Sequence, residues 1–263
     1  MPAAVKLQKE FGDRIQVIFV ESQGTGHEKS VGFALKAGWL GNQAIWTSQR
    51  PFSVASRGLP SFALINPNGE VVLTGYSNRM HSQIVEELER MVRKPDYGDM
   101  PKSIQKIYKE LNKKEIGDAY DLAEKVIAKP GSKDTELILT AAQNALEAVK
   151  GRFENEINRI KWLLENGYPE QALELSKELV KNVKKNDSML EEAKTWVEKI
   201  EGKEFKELLK LDKELTKIEQ SIYQSKEADP RSIKKLEDFV NENPDSSVTK
   251  RAEEIINVAK FAQ

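Results

Sequence analysis

The chain has 263 residues, 32% of them charged, with 41 Lys and Arg against 42 Asp and Glu and a formal net charge of −1. That balance argues against a general nucleic-acid or polyanion binder, and the absence of cysteine excludes disulfides, thiolate metal sites and cysteine nucleophiles. No apolar run approaches the ~18 residues of a membrane span, and the first residues lack the apolar core of a signal peptide.

In chain order, Pro2 suits a first helical turn, and Val5, Leu7 and Phe11 give a partial apolar face before Gly12 and Asp13 stop the helix. Residues 15–20 are mostly apolar, as expected of a strand covered on both faces. Residues 27–37 read as a helix with Val31, Ala34 and Leu35 on one side, and 44–46 as a short strand. Strands are expected at 61–66 and 70–76, joined by Asn66-Pro67-Asn68-Gly69, a strong hairpin signal. A helix bearing Ile84, Val85, Leu88, Met91 and Val92 follows. Strands alternating with helices imply an α/β sandwich.

The composition changes near residue 95, where Pro95, Gly98 and Pro101 mark a linker. The expected organisation is an α/β domain at 1–94, a linker at 95–101 and an all-α domain at 102–263. The α/β part is slightly basic, with 11 Lys and Arg against 8 Asp and Glu in residues 1–95; the remainder holds 30 against 34. Residues 102–263 predict seven or eight helices. Their separators are Pro130-Gly131, the segment 166–169, 185–187, Gly202, Asp229-Pro230 and Asn243-Pro244. Pro169 and Pro230 stand at helix starts, with Asp229 as N-cap. The stretch 135–165 reads as one long helix, with an interruption expected at Gly151. Antiparallel helices of this length resemble a tetratricopeptide-type array, but no 34-residue consensus recurs, so array and bundle both stand.

Several motifs fail on chemistry. The segment 23–30 lies between a strand and a helix, where phosphate loops occur. However, Glu28 stands where a Walker motif needs glycine before Lys29-Ser30, and Lys29 stands where a dinucleotide fingerprint needs glycine. His27-Glu28 starts like a zinc-protease helix, but Val31 replaces the second histidine, and His81 is the only other histidine. No metal site and no cofactor are expected. Trp39, Trp46, Phe52 and Phe62 read as core or loop packing, Trp162 and Trp196 as packing between helices, and the Lys/Glu-rich stretch 201–217 as a solvated face.

Gly58-Leu59-Pro60, followed by the hairpin with its Asn68-Gly69 turn and a final helix, together with the helix opening at Met1-Pro2 and the strand 15–20, resembles the thioredoxin superfamily. The resemblance is closest to the TlpA-like redoxins of bacterial extracytoplasmic proteins. It implies a thioredoxin-like domain that lacks the strand before the redox motif, followed by the helical bundle or tetratricopeptide-like array. It also implies that Pro60 is the cis-proline and that Leu59 and Pro60 line a substrate groove, in an extracytoplasmic or periplasmic setting. In the family a Cys-x-x-Cys turn precedes the first helix. Met1 is therefore expected to be an internal methionine of a longer reading frame.

Without a thiolate the chain as given cannot exchange disulfides, so no catalytic residue is expected. The function these features imply is a redox-inactive relative of thiol–disulfide oxidoreductases whose helical domain binds a protein or peptide partner, not nucleic acid. The alternative is a structural adaptor that uses the α/β part as a platform. A non-redox enzyme using the loop 24–30 ranks third.

Overall fold

Pro2 opens α1 (Pro2–Phe11), where its fixed φ and missing N–H are tolerated, and Leu7 and Phe11 turn inward with 6% and 7% exposure. In the computed structural model the described residues are 2–11, 15–21, 26–37, 44–46, 61–65, 70–76, 81–93, 97–131, 135–225 and 229–261. The elements that follow α1 are β1 (Phe19–Glu21), α2 (His27–Lys36), β2 (Ala44–Trp46), β3 (Ser61–Ile65), β4 (Val71–Tyr76) and α3 (His81–Arg93).

The strand expected at 15–20 is shorter and later. The backbone N–H of Val17 donates to the Gln8 side-chain oxygen at 2.9 Å, so this donor is used by α1 instead of a strand ladder, and β1 starts only at Phe19. β1 pairs in parallel with β2, Val20 opposite Ile45. β3 and β4 form the expected antiparallel hairpin with Leu64 opposite Leu73, and its register shifts between Leu64 and Ile65. Among the described residues the strands thus make two two-stranded sheets, and β1 does not pair with β3. Leu7, Phe11 and Leu88 form a small core against which Ile15, Leu64, Ile84 and Val85 pack. One face of β3 therefore meets both α1 and α3. On α2, Val31 and Leu35 are also buried, whereas Ile18, Phe33, Ile65 and Val71 are all more than 40% exposed.

The chain divides into two compact units, Met1–Gly98 and Asp99–Gln263. The regular elements among the described residues of the second unit are all helices: α4 (Lys102–Asn112), α5 (Ile116–Ala128), α6 (Thr135–Glu165), α7 (Pro169–Asn182), α8 (Asp187–Glu201), α9 (Lys203–Ser225), α10 (Pro230–Glu242) and α11 (Ser247–Phe261). The described residues are mostly helical, with only short strands among them. No helix among the described residues is long and apolar enough to cross a membrane.

Helix ends follow local chemistry. Asn186 caps α8 by accepting from Met189 N–H at 3.0 Å, and Asp229 caps α10 by accepting from Arg231 N–H at 3.1 Å. Both Pro169 and Pro230 occupy first helical positions. The break expected at Gly151 does not occur. α6 runs unbroken for 31 residues, roughly 46 Å, because Ala142, Ala145, Val149, Phe153, Ile157, Ile160 and Leu163 make one continuous buried stripe. α6 ends where Gly167 takes φ +80, with Tyr168 N–H donating to Leu163 O at 2.8 Å, a Schellman closure.

Packing proceeds step by step. Each helix from α4 to α9 packs on the next in sequence, as do α9 on α10 and α10 on α11; beyond neighbours, the main packing is α4 on α6, α7 on α9 and α9 on α11.

Candidate functional site

Leu59 and Pro60 lie outside the described residues; the hairpin that follows them starts at Ser61, which is half-buried. Of the loop 23–30, residues 26–30 are described. There the Ser30 hydroxyl donates to Gly26 O at 2.8 Å, a bond inside the first turn of α2 and not toward a ligand position. The side chains of His27, Glu28, Trp39, Trp46, Phe52 and His81 lie outside the described residues, whereas Phe62 is half-buried on β3. Among the described residues no cluster of three or more His, Asp or Glu that could hold a metal comes together.

The densest polar constellation lies in the helical unit. Arg251, on α11, is 5% exposed, and its Nη1 donates to Asp212 Oδ1 at 2.6 Å. Its Nη2 donates to Thr216 Oγ1 at 3.1 Å and to Glu219 Oε2. The guanidinium also lies 4.6 Å from the centroid of the Tyr168 ring, a cation–π arrangement at the start of α7. Asp212 is 2% exposed; its Oδ1 also accepts from Thr216, and its Oδ2 accepts from Glu170 N–H at 2.9 Å. One arginine and one aspartate therefore tie α7, α9 and α11 together.

Burial lowers the basicity of Arg251, but the hydrogen bond and charge of Glu219, with the charge of Asp212, outweigh it and hold the guanidinium above its ordinary value. Burial pushes the Tyr223 phenol well up, with the Glu219 charge and hydrogen bond adding to it. Tyr168 also rises through burial, partly offset by Arg251. These are the properties of an ionic clasp closed to solvent. It offers no exposed nucleophile and no general base.

The clasp corrects the reading of 201–217 as a solvated face. Asp212 lies inside that stretch, and the helical period shows why it is buried. Leu208, Asp212, Leu215, Glu219 and Ile222 fall on one stripe of α9, with Leu215 fully buried between the two acids and Ile222 fully buried just beyond the second. Two acids occupying core positions of an apolar stripe was the available signal.

Trp162 departs from expectation too. It stacks on Tyr168 with ring centroids 6.2 Å apart and planes 11° from parallel, yet it is 55% exposed. It lies in the last turn of α6 and meets the residue just past the Schellman glycine, a contact that this closure favours. Trp196, on α8, is half-buried against the core of the helical unit. Near the α4–α5 and α7–α8 turns a shallow open groove is lined by both signs of charge, including Asp118, Asp121 and Lys125. Its closest charges are already paired, Lys113 to Glu110 at 2.9 Å and Lys185 to Asp118 at 2.6 Å.

Comparison of the chain with protein-family models, with curated proteins and with solved structures found no match.

Proposed function

We propose that the chain joins a thioredoxin-like unit without thiol chemistry to a helical array that holds a protein partner. The observation that carries the first half is the element order over residues 2–93, with α1, β3 and α3 sharing one small core and an antiparallel hairpin after Pro60. In a thioredoxin-like unit, Leu59 and Pro60 would flank an extended substrate segment. With zero cysteines, the unit has no thiolate to attack a disulfide. Separation into two two-stranded sheets fits a thioredoxin-like sheet that lacks its middle strand.

The second half rests on the step-by-step helix packing, which supports a repeat-type array over a closed bundle. Stacked helix pairs of this kind present long surfaces to other proteins. The exposed Trp162 gives that surface an aromatic anchor.

The test uses the full chain. Carbon-13 shifts of Pro60 report whether Leu59-Pro60 is cis, and photo-crosslinking locates bound protein. A cis bond, with crosslinks confined to residues 99–263, is the expected result. A trans bond would remove the thioredoxin-like half, and crosslinks confined to residues 1–98 would remove the other.

A further inference from the structure

Trp196 is the meeting point of two cations. Lys199 Nζ lies 5.0 Å from its ring centroid and Lys161 Nζ, reaching from α6, lies 5.9 Å away. Each ammonium is attracted by the indole face, and the aliphatic stems cover part of the ring. Packing accounts for that much. It does not account for the charge: among the described residues neither ammonium has a carboxylate within 4.0 Å, whereas Lys177 nearby on α7 is paired with Glu201 at 2.6 Å. Two like charges thus converge on one ring with no carboxylate at ion-pair distance among the described residues, an arrangement that an anion relieves.

The next residue along α6 is Trp162, an indole held flat by Tyr168 and more than half exposed. Trp and Tyr supply much of the binding energy at protein interfaces because they carry large area with little entropy to lose. Tyr168 is in turn faced by Arg251, so the anchor stands on the buried clasp rather than on a mobile side chain.

We propose that the C-terminal ends of α6 and α8 dock an acidic segment of a partner protein, with carboxylates at Lys161 and Lys199 and an apolar side chain on Trp162; the proposal rests on the protein-binding reading of the helical unit. A nucleic acid matches the site less well. Residues 96–263 carry 30 Lys and Arg against 34 Asp and Glu, so they offer a long polyanion no net positive charge. A short segment with two or three carboxylates meets only the local pair.

Fluorescence anisotropy with the full chain tests this, using a labelled twelve-residue Gly/Ser peptide with one central Glu-Leu-Glu, its Lys-Leu-Lys counterpart and oligothymidylate of equal length. The acidic peptide is expected to bind and the basic one to fail. Lys161→Glu with Lys199→Glu, and separately Trp162→Ser, should each weaken binding roughly tenfold with unchanged circular dichroism. Equal binding by the variants, no binding of the acidic peptide, or tighter binding of oligothymidylate would overturn the site. If the peptide fails while photo-crosslinks still fall within 99–263, this site is wrong and the protein-binding reading survives; crosslinks confined to residues 1–98 would reject that reading itself.

Discussion

The backbone N–H of Glu170 donates to Asp212 Oδ2 at 2.9 Å, so a side chain from the middle of α9 caps the first turn of α7 across 42 residues of sequence. The same carboxylate faces Arg251, and both charges are nearly sealed from water. A buried pair of this kind contributes little net energy when intact, but its half-removal is costly because the survivor stays buried and unpaired.

Arg251→Met is therefore expected to destabilise the helical unit by about 3–5 kcal/mol. Urea unfolding followed by far-ultraviolet circular dichroism measures it. Adding Asp212→Asn and Glu219→Gln in the same chain should return part of the loss, since neutral groups replace the orphaned acids. A triple variant weaker than Arg251→Met alone would show that hydrogen bonding, not charge, dominates the clasp.

Two glycines should respond in opposite ways. At Gly167, φ is +80 and an added Cβ would lie 2.6 Å from the Ser247 carbonyl oxygen, a backbone atom that cannot swing aside. Gly167→Ala should cost roughly 2–4 kcal/mol. Gly151 lies mid-helix with nothing within 4 Å of an added Cβ, so Gly151→Ala should gain about 0.5–1 kcal/mol. Thermal melts of the two variants side by side are the measurement.

Tyr223 and Tyr168 both have phenols raised by burial. For a group raised in the folded state, stability is fully present below the unfolded value, about 10 for tyrosine, and is lost as pH rises toward the folded one. The melting temperature should hold level to about pH 9 and then fall. Tyr223→Phe should flatten that fall. An equally steep decline in the variant would place the alkaline sensitivity elsewhere.

Lys114 has φ +67 in the turn between α4 and α5, and it makes an exposed ion pair with Glu178 at 2.9 Å. Left-handed backbone costs a non-glycine residue about 1–2 kcal/mol, more than an exposed pair returns. Lys114→Gly should therefore raise stability slightly, by about 0.5 kcal/mol after the extra freedom of glycine in the unfolded chain is counted. Chemical denaturation of the two chains compares them.

That turn also shows where sequence reading stops. The hairpin, the proline-led starts of α7 and α10, and the Asp229 cap were legible because each depends on residues within a few positions of one another. The α4–α5 turn was not, because Lys113, Lys114 and Glu115 include neither glycine nor proline. The span of α6, 135–165, is legible in its apolar spacing, but the interruption at Gly151 is not found, because one glycine does not break a helix whose buried stripe continues on both sides. The clasp needed contacts across 32 to 39 residues, and in a Lys/Glu-rich segment two core acids look like surface acids until α9 is phased against its leucines. The exposure of Trp162 is not legible either, because sequence reveals that an aromatic residue lies in a helix but not how much of it a neighbour covers.

The clasp also orders events in time. Asp212 and Glu219 leave the ribosome well before Arg251, so α7 and α9 cannot settle against each other at full strength until α11 has formed. Until then the first turn of α7 shares its acceptor with no counter-charge, and the partly made array is held chiefly by its apolar stripes. During synthesis the clasp is thus completed by one late arginine, and a nascent chain stalled before residue 251 should leave the amide of Glu170 less protected from hydrogen exchange than the finished chain does.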